Sequence, residues 1–472
     1  MHPKTEHRFD PRLTALVVAS SNFMGALDGT IITLALPRMA HSFGIQPIAL
    51  TIGITVYIVV MATMTPASAW IADRFGPRRV LVFAIAGFTV ASVLCGVSRS
   101  LTAFVAARAL QAGCAALMSP VGNQILYRVT PKRDFVRAVA ISTTPALVAP
   151  VIGPPLGGMI ITALSWPWVF FLNVPIGLVA IALTLRSIPP IEPAPPRPFD
   201  WTGFALSGAA LVLLIYGLEL ASASGPGEAA IGLVAGGLLL GAIAIRHMRR
   251  TPHPIVSLEP LRVPTFVTAS LTGGGLVRIP FRALNLILPL MMQDALRLNP
   301  FWAGLLLLGY NGGDLALKAA AGRILRRYGF RRCLVVSGTL TALASAALTS
   351  FSLSTPWIVI FIGLALAGAL RSVLFTSIVA INFADVPSEE LAHASILNNV
   401  SSQVLGALAV SLAGLILTGS AALHGAESGH LALFDYRIAI LVMALVGLAA
   451  VPFFRRLPAD AGAEVSGHAV TR

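Results

Sequence analysis

The sequence predicts an all-α polytopic membrane protein, two six-helix bundles with two further helices inserted between them. Three observations predict it: an apolar composition, fourteen apolar runs of membrane-spanning length, and a basic motif that recurs eight spans later. Of 472 residues, 56% are apolar and only 11% are charged, against roughly 45–50% and 25% in soluble domains. A mean hydropathy of +0.84 leaves too little polar surface to cover a globule of this length, so lipid must solvate most of the exterior. Length alone would allow about three soluble domains, but the hydropathy overrides it.

A membrane helix needs about 20 mostly apolar residues. Candidates run at 13–36, 48–71, 79–98, 101–126, 136–162, 168–187, 201–221, 229–247, 264–292, 301–321, 332–352, 356–381, 394–419 and 436–454. Lys and Arg then orient them. Loops of one side, with both termini, hold 24 of these cations, the opposite loops hold four (Arg38, Arg99, Arg297 and Arg437), and five lie inside spans. The positive-inside rule puts both termini in the cytoplasm, of a protein expected in the cell inner membrane. The formal charge of +14 is explained by this topology, and no nucleic-acid partner is needed. One loop of the basic side, Asp385 to His393, is acidic. The polar start, MHPKTEHRFDPR, leads into a run too long for a signal peptide.

The repeat supports the count. Residues 69–79 read AWIADRFGPRR and residues 322–332 read GRILRRYGFRR, so Gly76 meets Gly329, Arg74 meets Arg327, and the pair Arg78 and Arg79 meets Arg331 and Arg332. The first follows span two and the second follows span ten. A duplicated six-helix unit would give an offset of six spans, so spans seven and eight are extra. The expected organisation is an N-terminal bundle over 1–187, a linker with two added helices over 188–263, a C-terminal bundle over 264–456 and a cytoplasmic tail over 457–472. Parallel repeats around a midplane site are a transporter architecture.

Several motifs resemble the major facilitator superfamily, and within it the fourteen-helix drug/proton antiporters. LDGTIITLALP (Leu27 to Pro37) resembles the LDxTIVNVALP element of span one. Asp73-Arg-Phe-Gly-Pro-Arg-Arg79 is similar to the DRxGRR loop, with Ala69 where a leading Gly is usual. Arg108-Ala-Leu-Gln111 resembles RxxQG, with Ala112 and Cys114 at the following glycine positions and Gly113 between them. Gly153-Pro-Pro-Leu-Gly-Gly158 resembles the antiporter motif GPxxGG. SWPWVFFLNVPIG (Ser165 to Gly177) is similar to SWRWIFxINxPxG, and Asp200-Trp-Thr-Gly203 to the DxxG start of the inserted seventh helix. The resemblance covers nearly the whole chain. It implies the major facilitator fold and proton-coupled efflux of small molecules by alternating access.

The chemistry sits in few residues. Asp28 lies in an otherwise apolar span, where a carboxylate is costly and marks function by default. It sits roughly 12 Å from the outer end, and Arg108 roughly 10 Å, at 1.5 Å per residue, so the two can pair. Burial raises a carboxylate pKa and a neighbouring Arg lowers it, which suits binding and release of a proton; a static packing pair is the other reading. Asp73, Arg74, Gly76, Arg78 and Arg79 suit a gate latch at the cytoplasmic mouth, or plain topogenic charge. Arg326 stands at the Asp position of the second motif, which is read as topogenic only. Gly153, Pro154, Gly157 and Gly158 suit a bent, close-packed hinge, or plain packing.

The C-terminal half carries Arg278 and Arg282 one turn apart, Asp314 and Lys318 one turn apart and able to pair, and Arg371. Lys318 and Arg371 lie where snorkelling could excuse them; Arg278 does not. Four cations against one anion favour an organic-anion or zwitterionic substrate, with a cationic or neutral lipophilic drug as the alternative. Arg278, Arg282, Asp314 and Lys318 are the expected cavity residues.

No GxxxxGK[ST] motif provides for a primary pump. Cys95, Cys114 and Cys333 are isolated, with no CxxC or His/Cys cluster. Neither an enzyme, a cofactor nor a metal is expected. The expected partners are the lipid bilayer, protons and a small-molecule substrate; an envelope-spanning efflux partner is left open. A membrane sensor or scaffold is the non-carrier alternative.

Overall fold

The computed structural model describes residues 11–130, 135–193, 198–224, 227–252, 254–387, 390–423, 431–458 and 461–462. Lys4, Arg8, Lys132, Arg133, Arg197, Arg472 and nearly all of the expected tail lie outside the described residues. The chain is all helical where described. Its spans are α1 (Pro11–Phe43), α2 (Pro47–Phe75), α3 (Pro77–Val97), α4 (Leu101–Val129), α5 (Phe135–Ala163), α6 (Trp168–Ser187), α7 (Trp201–Ser224), α8 (Glu228–Met248), α9 (Pro264–Ala295), α10 (300–328), α11 (330–347), α12 (Trp357–Ala384), α13 (Leu391–Leu423) and α14 (Leu433–Arg455). Twelve stretches among the described residues are long and apolar enough to cross a membrane. The other two spans are α5, with its apolar stretch Val148–Ala163, and α10, whose hydropathy Asn311, Asp314 and Lys318 dilute. A helix therefore lies at each of the fourteen expected positions. The first runs seven residues past its expected end, because Pro37 is carried inside the helix instead of stopping it.

The repeat is visible in the backbone. Gly76 takes φ of 87° and its mate Gly329 takes φ of 72°, a region that side chains rarely enter and glycine enters freely. Each turns the chain between two spans, and at Gly329 the non-helical backbone separates α10 from α11.

The two halves meet unevenly. At the end away from Pro11 and Arg455, one apolar cluster draws on both: Leu27, Leu36 and Met39 of α1 and Phe170 of α6 join Leu288 and Met292 of α9, Leu307 of α10 and Leu417 of α13. At the basic end the cores are separate. Val80, Leu81, Phe88 and Ile125 cluster within the first half, and Leu325, Phe330, Leu374 and Phe454 within the second. The apolar cores of the two halves merge at the far end and stay separate at the basic end. Helices α5 and α10 clamp the seal: a Cβ at Gly158 would overlap the Pro300 carbonyl, and one at Gly304 would overlap the Pro154 carbonyl. Small residues here let the backbones touch.

Helices α7 and α8 are peripheral, with the least buried apolar windows, 22% and 17%. Helix α7 lies along the seam between α2 and α13, where Val59, Ile215 and Ala407 cluster. Asp200 anchors the pair. It accepts from Gly203 N (2.8 Å) and Ile255 N (3.2 Å) and lies 2.8 Å from His247 Nε2 of α8. Burial alone would raise the Asp200 carboxyl, but these bonds outweigh it and hold it below its ordinary value. A depressed carboxylate stabilises above its unfolded pKa of about 3.9 and loses that contribution only as pH falls through the lower folded value. The anchor is therefore fully formed at neutral pH.

Candidate functional site

Two polar centres interrupt the apolar bundles, one in each half. In the first, Arg108 of α4 donates from Nη1 to Asp28 Oδ2 of α1 at 2.7 Å and to Gln111 Oε1 at 2.5 Å. Gln111 Nε2 donates to Asp28 Oδ1 (3.0 Å) and to Ser92 Oγ of α3 (2.8 Å), and Asn173 Nδ2 of α6 donates to Ser92 Oγ (3.3 Å). The guanidinium stacks over the Tyr57 ring of α2 at 4.2 Å. Asp28, Arg108 and Gln111 are all buried. The structure thus brings Asp28 and Arg108 together, and adds Gln111, Ser92, Asn173 and Tyr57, which the reading of single charges missed. Five of the first six helices contribute a group, so the protonation state of one carboxylate touches the packing of nearly the whole half.

The glycine-proline segment of α5 lies against the same centre. A Cβ at Gly153 would crowd Thr30 and Leu27, and one at Gly157 would crowd Ile31, the residues that flank Asp28. Pro145, Pro150, Pro154 and Pro155 all fall within this helix. Gly158 faces Pro300 of the other half. Helix α5 therefore contacts both the buried carboxylate's helix and the seal.

At the basic end, Gln124 Nε2 of α4 donates to Asp73 Oδ1 at 2.8 Å, and Arg78 donates to the Leu185 carbonyl of α6 at 2.5 Å. Arg74 and Arg79 lie on the same loop around Gly76. These contacts tie α2 and α3 to α4 and α6, all within the first half.

In the second half, Arg371 of α12 donates to Asp314 Oδ2 of α10 at 2.6 Å and stacks over Tyr310 at 4.3 Å and Phe281 at 4.5 Å. Tyr310 is the repeat mate of Tyr57, at the same separation of 253 residues as Gly329 from Gly76. In both halves an Arg from the fourth helix stacks on this tyrosine and pairs with an Asp. The signal was present in the sequence as an extension of the repeat offset.

This pairing corrects two expectations. Arg371 is buried and does not snorkel, and Asp314 pairs with Arg371, neither with Lys318 nor with Arg278. Facing direction around the helix axis, which depth does not reveal, decides both. Removing one partner of a buried pair costs about 3–5 kcal/mol because the other charge is left uncompensated. Asp314→Ala should therefore lower folded yield sharply, and adding Arg371→Met should restore it, as read by detergent-extracted monodisperse protein. Equal yields for the single and double variants would contradict the pairing.

Arg278 is also buried, and its role differs from that expected of a cavity residue. Helix α9 breaks between Ser270 and Gly273, with Thr272 at ψ of −92°. Arg278 Nη1 donates to the freed Ser270 carbonyl (3.2 Å), Ser401 Oγ donates to the same oxygen (3.1 Å), and Arg278 Nη2 donates to Asn398 Oδ1 (2.7 Å). Irregular backbone at membrane depth needs such partners. Arg282, one turn on, is exposed, and Lys318 is half-buried.

Glu219 and Asp294 are among the carboxylates in or beside the spans that escaped the sequence reading. Glu219 of α7 accepts from Thr51 Oγ1 of α2 (3.2 Å) and Ser411 Oγ of α13 (3.3 Å), bridging both halves. Asp294 accepts from the Tyr436 hydroxyl at 3.0 Å. No group of three or more metal-ligating side chains occurs among the described residues.

The Major Facilitator Superfamily matches residues 18–281 and 270–470. A protein of Cronobacter sakazakii is 32% identical over 449 residues, covering 94% of each chain, and one of Citrobacter koseri is 31% identical over 445 residues with the same coverage. Both carry the name MdtD, a multidrug resistance designation. Among solved structures, a POT family transporter in complex with 5-aminolevulinic acid superimposes with a TM-score of 0.66 at 14% identity, covering 93% of this chain and 94% of that one. A bacterial homologue of the lysosomal transporter Spinster, in an inward-facing conformation, gives 0.65 at 15% identity and covers 98% of both. These structures share the fold.

Proposed function

The chain belongs to the major facilitator superfamily, and from that premise we propose that it is a proton-coupled exporter of small molecules with Asp28 as the proton-carrying group. It is a multi-pass membrane protein and a secondary transporter. The observation that carries the proposal is the buried Asp28–Arg108–Gln111 network, joined to α5 through Gly153 and Gly157. A proton on Asp28 weakens its attraction to Arg108, and the freed cation must be re-accommodated. Helix α5 transmits the change to Pro300 and the far seal. Alternating access in this fold is a rocking of one half against the other around a midplane site.

In this reading the basic end faces the cytoplasm of an inner membrane, and the loop around Asp73, Arg78 and Gly76 keeps α2 and α3 in register as the halves move. Cysteines placed at Arg78 and at Arg331 should both react with a membrane-impermeant reagent only from the cytoplasmic side. Labelling of the two from opposite sides would break the parallel repeat.

The function itself is tested in proteoliposomes under an imposed pH gradient, with acidic and cationic aromatic compounds screened in parallel. Gradient-driven uphill movement of at least one class supports the proposal. Movement of neither class under the gradient would contradict the proposal.

A further inference from the structure

The interior arginines fall into two kinds. Arg108 and Arg371 each hold an aspartate. Arg278 and Arg282, one turn apart on α9, have no carboxylate partner among the described residues. Arg278 is spent on the break in its own helix. Arg282 makes neither hydrogen bond nor ion pair among the described residues, and it is exposed.

That exposure is internal. The Arg282 side chain lies beside Gly406 of α13, within 3.8 Å of where a Cβ would stand, and Ile58 of α2 borders the same space. Helix α7 covers the outside of the α2–α13 seam, so lipid does not reach it. Immediately beyond, Ala283, Leu284 and Ile287 enter the far seal. Arg282 therefore stands just short of the far seal, where α9 and α13 of the second half meet α2 of the first. Gly406 leaves room beside it, and Ile58 offers an apolar wall.

We propose that Arg282 is the anchor of a substrate site for amphiphilic organic anions, in which a carboxylate or sulfonate meets the guanidinium and the apolar body lies between α2 and α13. Arg278 supports it as a positioning residue, holding the α9 break and adding uncompensated positive potential one turn away. The acids nearby are committed elsewhere: Asp314 to Arg371, and Glu219 to Thr51 and Ser411. A cationic substrate would meet Arg282 with no free carboxylate beside it. An anion supplies the charge that the protein omits, and Arg offers carboxylates a bidentate fork that Lys does not.

The proposal rests on the transport reading, so its test uses binding without any gradient. Purified protein in nanodiscs is titrated with 1-naphthoate, its neutral isostere 1-naphthamide, and tetraphenylphosphonium. Wild type is expected to bind naphthoate saturably and more tightly than the other two. Arg282→Gln should weaken naphthoate by about tenfold or more, the loss of a charge-assisted hydrogen bond, and leave naphthamide unchanged, with Arg282→Lys between. Because Arg282 packs loosely, folding of these variants is checked by an unchanged melting temperature. Absent saturable naphthoate binding, tighter binding of the amide or the cation, or an Arg282→Gln variant with unaltered naphthoate affinity each overturns the proposal. None of these outcomes touches Asp28 or proton coupling, which the flux experiments decide separately.

Discussion

Asp28→Asn is expected to reduce gradient-driven export to the level of protein-free liposomes while the protein still inserts and folds. The carboxylate is buried and bonded by Arg108 and Gln111. Asn keeps its size and an acceptor for Arg108, but it cannot take a proton. It leaves Arg108 short of a counter-charge, in an environment where uncompensated charge is costly, so Asp28→Glu is the companion that retains titration. The coupling role separates from a structural one by substrate exchange at equal pH on both sides. Asp28→Asn should still exchange labelled for unlabelled substrate, because exchange needs no net proton movement, and Asp28→Glu should recover part of the gradient-driven flux. Wild-type uphill export by Asp28→Asn would remove Asp28 from the mechanism. Loss of exchange together with export in both variants would assign the network to folding.

Gly158→Val is expected to prevent closure of the far end and to abolish export. Its side chain would occupy the place of the Pro300 carbonyl of α10, where even a Cβ overlaps. Backbone cannot withdraw there as a flexible side chain could, so α5 and α10 must separate. A cysteine at Leu290, buried in the seal, reports the change in a background with Cys95, Cys114 and Cys333 replaced by Ala. It should be protected in otherwise native protein and react from the far side once Gly158→Val is added. Gly29→Ala is the control, because nothing lies within 4 Å of its added Cβ, and both labelling and transport should stay unchanged. Protection of Leu290→Cys in the Gly158→Val protein would contradict the α5–α10 clamp.

The fold was legible because lipid imposes it: spans follow from hydropathy and length, and the extra pair follows from the distance between Gly76 and Gly329. Both glycines take the backbone conformation that their matching positions imply. The first-half centre was legible as two charges that had no cheap reason to sit in apolar helices. Its remaining members were not, because Ser92, Asn173 and Tyr57 are ordinary in spans and gain meaning only from the helix faces that meet. Facing direction also hid the Asp314–Arg371 pair. Depth along the axis placed Arg371 toward a membrane surface, yet rotation about the axis turns it onto Tyr310 and Phe281. Arg278 looked like a ligand because it is mid-span, and the α9 break that occupies it has no mark beyond the run Gly273 to Gly275. Glu219 lies two residues inside the expected end of its span, so only the docking of α7 on α2 and α13 reveals that it bridges the halves. Which end is sealed is a property of the assembled bundles and of no single segment.

The central claim is exchange of substrate for protons, and it is tested most directly by proton movement driven by substrate alone. Proteoliposomes are loaded with a transported compound and a pH-reporting dye, then diluted into compound-free buffer at the same pH. Antiport predicts that the lumen acidifies as the compound leaves, in wild type and not in Asp28→Asn. Exit of the compound with no change in lumenal pH, or with alkalinisation, would contradict the account.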